Sequence, residues 1–75
     1  MEKLIKILEE IKPDVDFKKE KDLASSGILN SLAIISIIAA VSDEYGVQIP
    51  FTEMVPENFE SAEAIYNMIV RVQNA

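Results

Sequence analysis

Few side chains in this chain could do chemistry. There is no His and no Cys, which removes the base of a nucleophilic triad, thiolate catalysis, disulfides and every zinc-finger pattern. Carboxylates do occur in pairs, Glu9-Glu10 and Asp43-Glu44. Neighbours on a helix do not face one another, so both pairs read as solvated charge rather than as an acid/base dyad. Gly27 and Gly46 form no phosphate-cradling loop. No catalytic residue and no metal site is expected, and the chain is not expected to be an enzyme. One group stands out, Asn30-Ser31-Leu32, a hydroxyl between a small amide and an apolar residue. Taken alone it could be a helix cap and first-turn residue and nothing more.

The elements that must hold this group can be read from periodicity. Leu4, Ile5, Ile7, Leu8 and Ile11 recur at helical spacing with Lys and Glu between them. Pro13 ends that helix near Ile11 or Lys12. From there to about Asn30 no period is sustained, and the stretch contains Pro13, Ser25-Ser26 and Gly27. It is a long first loop for so small a domain, and long loops tend to be functional. Val15, Phe17, Leu23, Ile28 and Leu29 are expected to tack it onto the core. Residues 31–45 run without Gly or Pro, and Gly46 stands where a helix ends. The β-branched residues there also suit a buried strand, but the uninterrupted length favours a helix. Pro50 and Pro56 bracket residues 51–55, room for about one helical turn. Ser61 caps a last helix with Ala62, Ile65, Met68, Ile69 and Val72 on one side. The expected fold is all-α: a four-helix bundle with three longer helices, one short third helix and a long first loop, in a single domain spanning residues 1–75.

Within the second helix, Ile34, Ile37, Ile38, Val41 and Tyr45 fall within one arc of about 100° and form the expected core face. Ser31, Leu32, Ile35 and Ala39 lie on an adjacent arc, with Ser36, Ser42 and Asp43 among them. Either the first loop covers this second arc or it is an apolar docking patch. Docking is the expectation.

Composition narrows the partners. The chain has 75 residues, 49% hydrophobic and 27% charged, with a net charge of −6. That is globular composition, and the charge argues against nucleic acid and anionic membrane as partners while favouring basic protein surfaces. The charge is unevenly spread. Six of the seven bases lie within residues 1–21, and from Asp22 to Val70 there are acids and no base. A surface of one sign repels itself and steers cationic partners. The N-terminus has no apolar segment after its charges, and the most apolar stretch, Ile28 to Val41, is interrupted by Asn30, Ser31 and Ser36. A cytoplasmic protein, a monomer without membrane insertion, is therefore expected.

The ordered set Asp22-Leu23, Gly27, Leu29-Asn30-Ser31-Leu32, Tyr45-Gly46-Val47-Gln48-Ile49-Pro50, Asn58-Phe59-Glu60-Ser61 and Ile65 resembles the acyl and peptidyl carrier proteins over about residues 1–73. In that family a Gly, a Leu and an Asp-Ser-Leu precede and open the second helix, and aromatic-Gly-x-x-Ile-Pro closes it. The resemblance implies that Ser31 carries 4′-phosphopantetheine, attached by a phosphopantetheinyl transferase that uses coenzyme A. Such an arm would supply the thiol this sequence lacks, and would hold an acyl or aminoacyl group as a thioester. A phosphate on Ser31 would meet the positive end of the helix dipole.

Two departures from the family pattern matter. Asn30 replaces the usual Asp, which keeps the cap and removes the charge. The outward face of the second helix is Leu, Ile, Ala and Ser where many fatty-acid and polyketide carriers are acidic. Asn30, Leu32, Ile35, Ala39 and Asp43 are the expected partner-binding residues. The weakly acidic second helix and the run Pro56 to Phe59 resemble D-alanyl and other aminoacyl carriers, which pair with a separate adenylating ligase. Acyltransferases, and a fatty-acid or polyketide cargo, are the alternative partners and cargo. A carrier-like interaction module that is never modified is the alternative function.

Overall fold

The computed structural model describes residues 1–74; Ala75, the last residue of the expected domain, lies outside the described residues. Helix α1 spans Glu2–Ile11 and buries Leu4, Ile5 and Leu8, the inner stripe that its periodicity marks. It stops where the sequence requires. Lys12 leaves the helical region, with φ −134° and ψ 78°, because a residue before proline is pushed out of it.

The connection from Lys12 to Asn30 is not structureless. Phe17, Leu23 and Leu29 are buried in the common core, and Val15 and Ile28 pack against it half-buried. Each fully buried Leu or Phe contributes about 1.5–3 kcal/mol by leaving water, so these residues hold the loop down along its length. The Leu29 amide donates to the Leu23 carbonyl at 2.9 Å and closes the last part of the loop on itself.

Helix α2 spans Ser31–Tyr45. Asn30 caps it, its side-chain oxygen accepting from the Ala33 amide at 2.9 Å. Gly46 ends it at φ 63° and ψ 37°, the left-handed region that glycine enters without strain. The buried line is Ala33, Ile37 and Val41, while Ile34, Ile38 and Tyr45 are half-buried beside it. The core face is thus turned toward Ala33 relative to the expected arc. Isoleucines crowd both arcs, so hydrophobic periodicity alone places its centre poorly.

The expected short helix over residues 51–55 is corrected by the structure. Two 3-10 turns stand there, Phe51–Glu53 and Pro56–Phe59, so the described residues hold three α-helices rather than four. Pro56 is the cause. It forces Val55 into an extended conformation, φ −119° and ψ 150°, which breaks the first turn and starts a second. The two turns are tied together by Asn58, whose amide donates to the Glu53 carbonyl at 2.8 Å. Arg71 donates to the Glu53 carboxylate at 2.7 Å and so joins both to the last helix.

Helix α3 spans Ala62–Gln73 and is capped by Ser61, which accepts from the Ala64 amide at 3.0 Å. Ala62, Ile65, Met68 and Ile69 are buried, and Val72 packs half-buried against the core. Phe59, fully buried, fills the space before it. Helices α1 and α2 lie antiparallel: Lys3 donates to the Glu44 carbonyl at 3.1 Å and sits 4.8 Å from the Tyr45 ring centroid. A cation at the C-terminal carbonyls of a helix meets the negative end of its dipole. No helix among the described residues is long and apolar enough to cross a membrane.

Candidate functional site

Ser31 is the first residue of α2 and is exposed. Its hydroxyl has no hydrogen-bond partner among the described residues. A helix start leaves its first amides without intrahelical acceptors. Here Asn30 satisfies Ala33, and the Asn30 carbonyl takes Ile34 at 2.9 Å. The amides of Ser31 and Leu32 remain without a protein acceptor among the described residues. No acid stands in the first turn of the helix. The site therefore offers an accessible hydroxyl, unspent donors and the positive end of a 15-residue helix, with no competing anion beside it.

The structure also fixes the surroundings of that hydroxyl. Leu32 is 73% exposed and Ile35 53%, and Asn30, Ala39 and Asp43 are exposed with them. The first loop leaves this face open, so the covering alternative does not hold. Leu32 and Ile35 lie within about one turn of Ser31. Asp43, by contrast, is about 18 Å along the axis from it, at a rise of about 1.5 Å per residue. What adjoins Ser31 is apolar, and the acids of the helix are at its far end.

A contact invisible in the sequence reaches this region from the other side of the loop. The Glu60 carboxylate accepts from the amides of Ala24 and Ser25, both at 2.9 Å, and from the Ser25 hydroxyl. The Ser25 hydroxyl first, then the Ser25 amide and, less, the Ala24 amide hold its carboxyl below the ordinary value of 4.5, with burial acting in the opposite direction. The stabilisation from this carboxylate is present above its ordinary value and is lost as the pH falls through the lowered one. In the sequence Glu60 is only one more acid in an acidic stretch. Its partners lie 35 and 36 positions away, and no local pattern could announce them.

With this geometry in view, comparison with known proteins is decisive. The family described as "Phosphopantetheine attachment site" matches residues 2–69. The chain belongs to that family. Among curated proteins it is similar to the D-alanyl carrier protein of Streptococcus sanguinis (strain SK36), 25% identical over 73 residues, covering 96% of this chain and 92% of the relative. The D-alanyl carrier protein of Streptococcus suis (strain 05ZYH33) is 25% identical over 75 residues, covering 99% and 95%. That of Streptococcus uberis (strain ATCC BAA-854 / 0140J) is 27% identical over 62 residues, covering 83% and 78%.

The protein is a carrier protein, bearing covalent 4′-phosphopantetheine for acyl or aminoacyl groups. The start of α2 fits such a group. A phosphodiester on an exposed hydroxyl there would find the unspent amides of Ser31 and Leu32 and the positive helix end, which favour an anion. When bound, the group supplies the terminal thiol on which the cargo is held.

Proposed function

We propose that Ser31 is the attachment residue, that the cargo is an aminoacyl group, and that the carrier presents it without catalysing any step itself. The observation that carries the first part is the meeting, at one residue, of an exposed hydroxyl and an acid-free helix start. The cargo rests on the names of the relatives, which are D-alanyl carriers, and on the apolar outward face of α2. Tethering raises the effective concentration of the carried group at each partner. The partners are a phosphopantetheinyl transferase, an adenylating aminoacyl ligase and an acyltransferase that takes the group onward. They dock on Leu32, Ile35 and Ala39, with Asn30 at the near end of the patch and Asp43 at the far end. The carrier acts as a monomer in the cytoplasm, as one domain.

Incubation with coenzyme A and a broad-specificity phosphopantetheinyl transferase is expected to add one phosphopantetheine by intact mass. Ser31→Ala is expected to abolish the addition. Label recovered on Ser25, Ser26 or Ser36 would move the site. Asn30, in place of the Asp usual in this family, favours one second reading, an unmodified binding module. Absence of label with several transferases would overturn the Ser31 assignment and favour that reading.

A further inference from the structure

Glu60 belongs to the turn before α3, yet its side-chain hydrogen bonds all run to the loop that leads into Ser31. One carboxylate oxygen takes the Ala24 and Ser25 amides, each at 2.9 Å, and the other takes the Ser25 hydroxyl. The Glu60 carbonyl takes the Leu23 amide at 2.9 Å, and the Leu23 carbonyl takes the Leu29 amide at 2.9 Å. Asn30 follows directly and caps α2 with its side chain. Backbone hydrogen bonds therefore run from Glu60 through Leu23 to Leu29, next to the capping Asn30, and the Glu60 carboxylate pins Ala24 and Ser25 in the segment between Leu23 and Leu29.

Both ends of that chain are anchored. Phe59 and Ala62, on either side of Glu60 and its neighbour Ser61, are buried, as are Leu23 and Leu29 in the loop. Between these anchors, Ala24 is half-buried and Ser25, Ser26 and Gly27 are exposed, so packing holds them weakly. The carboxylate holds Ala24 and Ser25, and the loop's own turn holds the rest, the Ser26 and Gly27 amides donating to the Asp22 and Ala24 carbonyls at 2.8 and 3.2 Å. Hydrogen bonds to an ionised acceptor are about twice as strong as neutral ones. The charge of Glu60 is not spent elsewhere, since the ion pairs among the described residues are Lys3–Glu44 and Arg71–Glu53.

We propose that Glu60, acting through Ser25 and Ala24, is a positioning residue for Ser31: it fixes the loop in the shape that presents the hydroxyl to the transferase. This rests on Ser31 being the attachment residue. A chain whose loop is docked only part of the time binds the transferase with an apparent affinity reduced by the docked fraction. The defect of an undocked loop therefore appears in KM, with kcat little changed.

The test measures loading by coenzyme A and a broad-specificity phosphopantetheinyl transferase in wild type, Ser25→Ala, Glu60→Ala, Glu60→Gln and the double Ser25→Ala/Glu60→Ala variant. Glu60→Ala is expected to lower kcat/KM about three- to tenfold, the effect of losing the equivalent of one net hydrogen bond, mainly through KM. Glu60→Gln keeps an oxygen for the two amides and is expected to recover part of the loss. The double variant is expected to be no worse than Glu60→Ala alone, because both substitutions break one contact. In the unloaded wild type, the Ala24 and Ser25 amide signals are expected to titrate together with a midpoint below 4.5, the ordinary value for Glu60, and to stop titrating in Glu60→Gln. Glu60→Ala that alters those two amides yet loads with the wild-type KM would overturn the proposal, as would fully additive losses in the double variant. Wild-type protein that takes no label at all would overturn the Ser31 assignment, and the proposal with it.

Discussion

The two faces of α2 are almost equally apolar and have opposite fates. Ala33, Ile37 and Val41 are closed off in the core, while Leu32, Ile35 and Ala39 stand in water on the same helix. Ile37 is fully buried and Ile35, two residues earlier, is 53% exposed. The same side chain thus serves cohesion in one place and leaves surface for a partner in the other. Hydrophobicity alone does not tell the two apart. Position relative to α1, the first loop and Phe59 does.

Stability separates the faces most sharply. Truncation of a buried Ile leaves a cavity as well as lost transfer energy, typically about 2–5 kcal/mol. Ile37→Ala is therefore expected to lower the unfolding free energy by that amount in urea titrations. Ile35→Ala is expected to change it by no more than about 0.5 kcal/mol, as surface substitutions do. Equal losses at the two positions would erase the distinction.

Binding is expected to reverse the order. Burying an exposed Ile in an interface contributes up to about 1.5–3 kcal/mol, whereas an exposed charge pair contributes about 0–1 kcal/mol and weakens with salt. Ile35→Asp is expected to weaken the complex with the cognate ligase, measured by calorimetry, more than Asp43→Asn does, with little change in melting temperature. Binding that survives Ile35→Asp but collapses on adding salt would give recognition to the acidic surface instead.

The smallest effect concerns the junction of the two faces, at the cap. Asn and Asp cap about equally well, so Asn30→Asp is expected to leave helicity and melting nearly unchanged. It is expected to speed loading by the transferase, read as the rate of mass gain, because it restores the charge usual in this family. Equal rates would leave Asn30 as a cap and nothing more.

Much of this organisation was legible in the sequence, for reasons particular to each element. Residues 31–45 were readable because a capping amide precedes them, Gly46 follows, and nothing between breaks a helix. The last helix was readable from Ser61 and the spacing of Ile65, Met68 and Ile69. The exposed patch was readable as an arc, though its openness depended on the path of a loop that has no period. The pair of 3-10 turns is not legible as such because one proline, Pro56, both blocks a helix and begins a new turn. Ala33 does not stand out in the periodicity because its small side chain carries little weight among isoleucines. The contact of Glu60 with Ala24 and Ser25 was beyond reach, since its two halves are far apart in the chain and neither is unusual alone.

The acid-free start of α2 has a consequence for the order of events in the carrier's life. Before loading, the first turn has no counter-ion and is at its most pliable, which suits a hydroxyl that an enzyme must reach. After loading, a fixed negative charge at that end favours the wound state by about 0.3–1 kcal/mol, or roughly two- to fivefold in the population of frayed first turns. Apprentice and working forms of the same chain thus differ in stiffness at the root of the arm, and hydrogen exchange at Ala33 and Ile34 would record which form is present without reference to its cargo.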